Sequence, residues 1–230
     1  MMQVVDLEKS SVRELNGALH ALTEDDSNSE WRVSNPRGAH AIAVGINAAA
    51  TVHIDGHVGY YCAGMNKHAD ITVNGNAGVG VAENMMSGRV HVKGDVSQSA
   101  GATAHGGLLV VDGNASARCG ISLKGADIVV KGSIGHMSAF MAQDGNLVVL
   151  GDAGEALGDS LYEARLFVRG DVTSLGADCE QKKMTDSHRA ILAQLLQRAG
   201  LDGDVDVSAF RRYGSARKLY HFKLDNVDAY

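Results

Sequence analysis

A glycine returns every nineteen residues through the middle of this 230-residue chain, and this period constrains the fold more than any other feature. Two positions before each glycine lies valine or isoleucine, and four positions before it lies valine, isoleucine or leucine. Aliphatic residues two apart lie on one face of a β-strand, so each repeat predicts a strand followed by a turn. The seven glycines are Gly56, Gly75, Gly94, Gly113, Gly132, Gly151 and Gly170.

Repeats of one strand and one corner predict a β-solenoid, because each returning strand can pair in parallel with the one before it. We predict an all-β fold: a right-handed parallel β-helix of about seven to eight 19-residue coils, with short helical caps at both termini. Adjacent coils would lie about 4.8 Å apart. The glycine should supply a positive φ at the turn, and the asparagine or aspartate that follows it in five repeats should bond to turn backbone.

Three regions are predicted along the chain. Residues 1–38 form an N-terminal cap with a strand, a helix and an acidic loop. Residues 39–180 form the β-helix, whose incomplete first coil would carry a strand, out of phase with the repeat, within 39–47. Residues 181–230 contain a helix over 185–199 and a tail rich in basic and aromatic side chains. The two terminal regions are expected to cover the unpaired strand edges that a solenoid leaves at its ends.

Composition narrows the class of protein. The net charge of −6 and the pI near 5.9 argue against nucleic acid as the main partner. No apolar run approaches the length that spans a membrane, and the first ten residues, MMQVVDLEKS, lack the basic and apolar regions of a secretory signal. Cys62, Cys119 and Cys179 do not make a disulfide framework. We therefore predict a cytoplasmic protein.

Candidate chemistry is sparse, and we predict no catalytic, cofactor-binding or metal-binding residue in this chain. The stretch GNAGVG at 75–80 lacks the order of the dinucleotide fingerprint. His53 and His91 share a column two coils apart, about 9.6 Å, which is too far for one zinc ion. Cys62 and Cys119 lie three coils apart and cannot bond to each other. Acidic side chains alternate with basic ones, so a self-sufficient carbohydrate-active β-helix enzyme is the less favoured rival.

The column three positions before each glycine should face away from the core, and its character changes along the rod. It begins with the polar His53, Thr72 and His91 and continues with four apolar residues. A continuous apolar strip on the outside of a solenoid needs a cover, which is either the C-terminal helix or another chain. These four residues are therefore candidate interface residues: Val110, Val129, Val148 and Phe167.

The tail FRRYGSARKLYHFK, residues 210–223, contains five basic residues and no acidic one. A disordered tail would be poor in aromatic residues, so we expect this one to dock, either on its own solenoid or on a partner. Its candidate interface residues are Arg211, Arg212, Tyr213 and Tyr220.

The glycine pattern, with VKGDVSQSAG and KGSIGHMSAF as examples, resembles the GXGXG β-helix family over about residues 39–180. That family includes the C-terminal domain of the glutamate synthase large subunit and the β-helix subunit of formylmethanofuran dehydrogenase. The segments HVGYYCAGMN, GVAENMMSGRV, QSAGATAHGGLLV, ASARCGIS and FRRYGSARKLYHF resemble more narrowly the free-standing glutamate-synthase-like subunit. This is the small β-helix subunit of N-methylglutamate synthase, and here the likeness extends to both termini.

The resemblance implies a structural subunit of a multi-chain enzyme. The implied partners are a glutamine-amidotransferase-like subunit and a glutamate-synthase-like subunit that carries FMN, with an iron–sulfur cluster as a further candidate there. The implied reaction, that of methylamine–glutamate N-methyltransferase, converts methylamine and L-glutamate into N-methyl-L-glutamate and ammonia. The alternative within the class is a subunit of another glutamate-synthase-like complex that acts on a different amine or amide. Residues 60–65 and 83–86 are candidates for lining an ammonia or amine passage.

Overall fold

The computed structural model describes residues 2–23, 26, 29–201, 203 and 205–217. The strands are β1 (Gln3–Asp6), β2 (Glu30–Ser34), β3 (Thr51–Asp55), β4 (Asp70–Val73), β5 (Arg89–Val92), β6 (Leu108–Val111), β7 (Lys124–Val130), β8 (Asp144–Val149), β9 (Arg165–Val168), β10 (Cys179–Lys182) and β11 (Arg211–Ser215). The α-helices are α1 (Val12–His20) and α2 (Asp186–Arg198), and a short 3₁₀ helix spans Val207–Ala209. No helix in these described segments is long and apolar enough to cross a membrane.

All eleven strands belong to one sheet in the order β1-β2-β3-β4-β5-β6-β7-β8-β9-β11-β10. The pairing is parallel from β1 to β9, and β11 is antiparallel to both β9 and β10. Each repeat pairs with the equivalent position of the next, as Val92 does with Val111. A second ladder of single bridges, from Val58 to Val172, runs along the residues two after each glycine. The predicted parallel β-helix is therefore confirmed, while its right-handed sense stays a prediction.

The first coil differs from the prediction, because residues 39–47 contain no strand. The strand of this coil is β2, whose Trp31 pairs with Val52, a separation of 21 residues instead of nineteen. Residues 39–47 instead form a corner that stacks on the corner of the next coil. Ala41 N–H donates to Tyr60 O at 2.7 Å across this contact. Two additional residues in this coil explain why its sequence falls out of phase. The sheet thus begins at β1, upstream of the predicted boundary at residue 39.

The repeating glycines are needed for close stacking, which corrects the predicted role of positive φ. Among the seven, only Gly56 has a positive φ, of 135°. Gly132 shows the general reason, since its N–H donates to Gly113 O at 2.9 Å. A Cβ at Gly132 would lie 2.6 Å from that same oxygen, which is closer than real Cβ contacts come. The backbones of successive coils therefore meet at this column without room for a side chain.

The asparagine and aspartate residues after the glycines bond along the solenoid axis. Asn114 N–H donates to Asp95 Oδ1 at 2.7 Å, and Ser133 N–H donates to Asn114 Oδ1 at 2.9 Å. Each side chain therefore satisfies a backbone donor one coil further on, instead of a donor in its own turn. At the last coil the ladder ends on Arg211, which contacts Gly170 O and Asp171 Oδ1.

Left-handed residues form the opposite corner of each coil, a feature that the repeat did not predict. In one coil Tyr61, Ala63 and Met65 have φ of 58°, 56° and 54°, and the equivalent positions of later coils repeat this pattern. Met65 N–H donates forward to Glu83 O at 2.8 Å, whereas Ala63 N–H donates back to Ile42 O at 3.0 Å. Hydrogen bonds to both neighbouring coils hold non-glycine residues in a conformation that costs roughly 1–2 kcal/mol each. We call residues 60–67 and their equivalents the corner face.

Both ends of the solenoid are closed by the chain itself. At the N-terminal end α1 begins at a capping box of Ser11 and Glu14 and buries Leu15 and Leu19 against the interior. Its Asn16 donates to Ala41 O and accepts from Ala43 N–H, so it pairs the exposed backbone of the first coil. At the C-terminal end Tyr213 of β11 is buried in the same core. The interior between these ends is filled by fully buried aliphatic side chains.

Candidate functional site: surfaces of the solenoid

The outer apolar strip is covered by α2, which decides between the two predicted covers. Val110, Val129, Val148 and Phe167 have no exposed surface and pack in one cluster with the apolar side of α2. The helix contributes Leu192, Leu195, Leu196 and Ala199 to this cluster. Of the two predicted covers, the structure shows the C-terminal helix, because the chain buries these four candidate interface residues itself.

The predicted docking tail lies on its own solenoid as far as the structure describes it. Arg211, Arg212 and Tyr213 pair antiparallel with residues of β9, and Tyr213 is buried. Arg211 reaches the end of the asparagine–aspartate ladder at Gly170 O. Tyr220, the remaining candidate interface residue, lies outside the described residues.

Arg212 is one of four basic side chains around a pocket of about 370 Å³ at the C-terminal end. The others are Arg165 at the start of β9, Lys182 at the end of β10 and His188 in the first turn of α2. Lys182 lies directly opposite Arg212 in the sheet, and Arg212 lies opposite Phe167, two residues beyond Arg165. Because strand positions two apart share a face, the three cations project to the same side of the sheet.

The charged side chains that line this pocket are mostly positive. Among the described residues that line it, Glu163 is the one carboxylate against three cations. Burial, and then the neighbouring Arg165, lower the pKa of Arg212 below its ordinary value. Burial likewise lowers the pKa of His188, and both arginines add to that effect. The positive groups therefore repel one another at this partly buried site. A cluster with a purely structural role would instead pair opposite charges.

A second polar cluster lies on the outer face of β5 and β6. Arg89 Nη2 donates to His91 Nδ1 at 3.2 Å, so His91 carries its proton on Nε2 and donates it to Asp112 Oδ1 at 2.9 Å. Lys131 Nζ also lies 2.7 Å from Asp112 Oδ1. Burial lowers the pKa of His91 despite its bond to Asp112. These groups satisfy one another, so we assign the cluster to the stability of the sheet.

The corner face carries most of the exposed large apolar side chains. Tyr60, Tyr61, Met65 and Met86 are 47–54% exposed and lie in two consecutive coils. The Tyr60 ring stacks on His40 at a centroid distance of 4.5 Å, which fixes its orientation. These positions recur in register from coil to coil, so the four exposed side chains lie on the same side of two neighbouring coils. Further along the rod, equivalent positions expose Met141 and Tyr162.

Among the described residues no group of three or more His, Cys, Asp or Glu side chains could hold a metal ion. Cys62 and Cys119 are fully buried, and burial raises the pKa of each thiol to about 12. A buried thiol with a raised pKa behaves as a small apolar residue.

The sequence-based predictions included Arg212 and the region of residues 60–65, but they did not include Arg165, Lys182 and His188 as members of a site. These three residues lie on three different elements, and the antiparallel return of β11 brings them together with Arg212. No spacing along the chain signals that arrangement. A weak signal was available in His188, since a basic residue in the first turn of a helix opposes the helix dipole.

The fold and these surfaces define the class: a parallel β-helix protein, closed at both ends by its own segments, with an exposed apolar corner and a basic terminal pocket. A scan against models of protein families finds no match. The chain is 61% identical over 229 residues to Protein GlxC of Rhizobium meliloti (strain 1021), and the alignment covers 100% of both chains. This protein therefore belongs to the same family as Protein GlxC.

Proposed function

We propose that this chain is a non-catalytic assembly subunit of a cytoplasmic, FMN-dependent enzyme complex, an N-methylglutamate synthase. In this proposal it holds together a glutamine-amidotransferase-like subunit and an FMN-binding glutamate-synthase-like subunit, and the FMN lies in the latter. The complex would convert methylamine and L-glutamate into N-methyl-L-glutamate and ammonia. The parallel β-helix fold and the segment resemblances described above support it.

The observation that carries the proposal is the apolar part of the corner face. Four large side chains, Tyr60, Tyr61, Met65 and Met86, are about half exposed on a rigid backbone. Tyrosine and methionine are enriched in protein interfaces, where their large side chains supply apolar contact area. A rigid solenoid that presents such residues in register suits the docking of another chain.

The candidate passage for ammonia or amine fits the same surface. The interior of the coils is filled, for example by the fully buried Ile71 and Met85, so a passage through the solenoid has no room. Within 60–65 and 83–86, the exposed residues reach the corner face, where the Glu83 carboxylate and the Tyr61 ring both lie close to Gly80. A passage lined by these residues would run between the corner face and a docked partner.

The alternative is that the chain belongs to another glutamate-synthase-like complex with a different amine or amide substrate. The name of the relative, Protein GlxC, specifies neither a reaction nor an amine, so it is compatible with both versions. A self-sufficient carbohydrate-active enzyme remains the less favoured rival. Activity of the purified chain alone on carbohydrate would support that rival and contradict the assembly proposal.

The test is gentle affinity purification of the tagged full-length chain from its native cells. We expect a yellow complex with two companion chains, one of them amidotransferase-like, and turnover of methylamine with L-glutamate by the complex. The variant Tyr61→Lys with Met65→Lys places two charges in the apolar corner and should reduce the recovered partners and FMN by about tenfold or more.

The matched control is Val4→Lys, because Val4 is also apolar and 64% exposed but lies on β1, away from the corner face. It should leave recovery of the partners unchanged. Equal recovery with the Tyr61→Lys/Met65→Lys variant and the natural chain would exclude the corner face as the docking surface. A colourless single chain would contradict the assembly role itself.

A further inference from the structure

The basic pocket at the C-terminal end contains an arrangement that folding does not explain. Lys182 and Arg212 lie directly opposite each other on β10 and β11. Like charges at directly opposed positions destabilise a sheet. Lys182 forms an ion pair with Glu180 on its own strand. Arg212 has no such pair among the described residues, since its Nε donates a hydrogen bond to the backbone carbonyl oxygen of Lys183 at 3.2 Å.

The third cation increases the repulsion. Arg165 lies diagonally across from Arg212 on the same side of the sheet, and its nearest carboxylate among the described residues is that of Asp144, at 3.9 Å. At that distance an exposed pair contributes little. Two guanidinium groups from different strands therefore face one pocket with most of their donors free of partners in the described part of the chain.

His188 adds a fourth group from a separate element. Its Nδ1 takes part in the capping box of α2, at 2.6 Å from Thr185 Oγ1 and 3.3 Å from Thr185 N. This leaves Nε2 as the ring nitrogen outside the cap, beside a pocket that Arg165, Lys182 and Arg212 also line. The first turn of α2 adds the positive end of the helix dipole to the same side.

We propose that this pocket binds the carboxylate or phosphate group of a small metabolite. Its volume, about 370 Å³, lies within the range of small-molecule sites, about 300–1,000 Å³. Planar guanidinium groups match carboxylate and phosphate oxygens in paired hydrogen bonds, and Arg165 and Arg212 approach from two strands. A bound anion would neutralise the repulsion between the opposed cations. The proposal does not depend on the assembly role, since the isolated chain contains every group involved.

The test is isothermal titration calorimetry on the full-length chain with two probes, inorganic phosphate and succinate, at an ionic strength held constant with chloride. We expect saturable binding of at least one probe at one site per chain. Binding of phosphate without succinate would assign a phosphate ligand, and binding of succinate without phosphate would assign a carboxylate ligand. Binding of neither probe would overturn the proposal.

Variants locate the site. Arg212→Gln should weaken binding by about tenfold or more, because it removes charge-assisted hydrogen bonds from the pocket. Lys182→Gln is the second variant, in case the first impairs folding as judged by circular dichroism. The matched control is Arg13→Gln on α1, an exposed arginine at the other end of the molecule, which should bind as the natural chain does. Equal weakening by Arg13→Gln, or none by both pocket variants, would overturn the assignment to this pocket.

Discussion

At the scale of single residues, the solenoid depends on positions where a side chain has no room. The glycine column brings the backbones of consecutive coils into direct hydrogen-bonding contact, as Gly132 does with Gly113. The next column supplies the donors and acceptors that continue this contact along the axis. One methyl group at the glycine would therefore disturb two coils at once, because the neighbouring atoms are backbone and cannot rotate away.

We predict that Gly132→Ala lowers the free energy of unfolding by about 1–3 kcal/mol, the range expected for overpacking a well-packed site. Chemical denaturation followed by circular dichroism would measure it. The matched control is Gly17→Ala in α1, where a Cβ meets nothing within 4 Å. That change should stabilise the protein by about 0.5–1 kcal/mol through helix propensity. If Gly132→Ala is as stable as the natural chain, the close-stacking account is wrong.

His91 makes a pH-dependent contribution. Burial lowers its pKa in the folded protein below its ordinary value. The unfolded chain therefore binds the proton more readily, so the stabilisation is present above a pH of about 6.5 and is lost as the pH falls through the folded-state pKa. We expect the unfolding free energy to fall less steeply between about pH 7.5 and pH 5 in His91→Gln than in the natural chain. Denaturation at several pH values would measure the slope.

The control for this prediction is His136→Gln, which replaces an exposed histidine on the corner face. It should retain the pH dependence of the natural chain. A His91→Gln variant with an unchanged slope would show that His91 contributes nothing to it.

At the scale of elements, α2 is the cover for half of the outer sheet face. It packs on the apolar end of the column that begins with His53, and Arg198 near its end forms an ion pair with Asp127 at 2.6 Å. The other half of the same face is polar and needs no cover. The switch from polar to apolar residues along one column therefore fixes where the helix docks.

We predict that Leu192→Ala lowers the free energy of unfolding by about 2–4 kcal/mol, since Leu192 is fully buried between α2 and the sheet. The variant should also bind a hydrophobic fluorescent dye more strongly, because loosening of α2 uncovers the strip. Gln194→Ala, at an exposed position of the same helix, is the control and should change neither quantity. Equal effects of the two substitutions would contradict the role of α2 as a cover.

At the scale of the whole molecule, the repeat predicted the architecture because parallel stacking forces equivalent residues into one column. The segments that do not follow the nineteen-residue repeat could not be predicted in the same way. The 21-residue first coil and the antiparallel return of β11 both depend on pairings that no repeat encodes. The pocket around Arg212 and Lys182 follows from that return, so its members stood apart in the sequence.

The corner face shows a different limit of prediction. The small residues seven after each glycine were visible as a column, but their left-handed conformation was not. Ala63 and Ala139 adopt it without being glycine, because hydrogen bonds to neighbouring coils outweigh the local cost. Hydrogen bonds between coils therefore determine the backbone conformation at these positions, against the intrinsic preference of alanine.

The strand at the C-terminal edge of the sheet also bears on how copies of this chain can stack. A strand that runs against the stack ends the parallel pattern, and β10 beyond it presents Glu180 and Lys182 at the sheet edge. A second copy that arrived with its own parallel coil would meet this charged border. The charged edge strand thus disfavours end-to-end stacking of copies into filaments at this end of the rod.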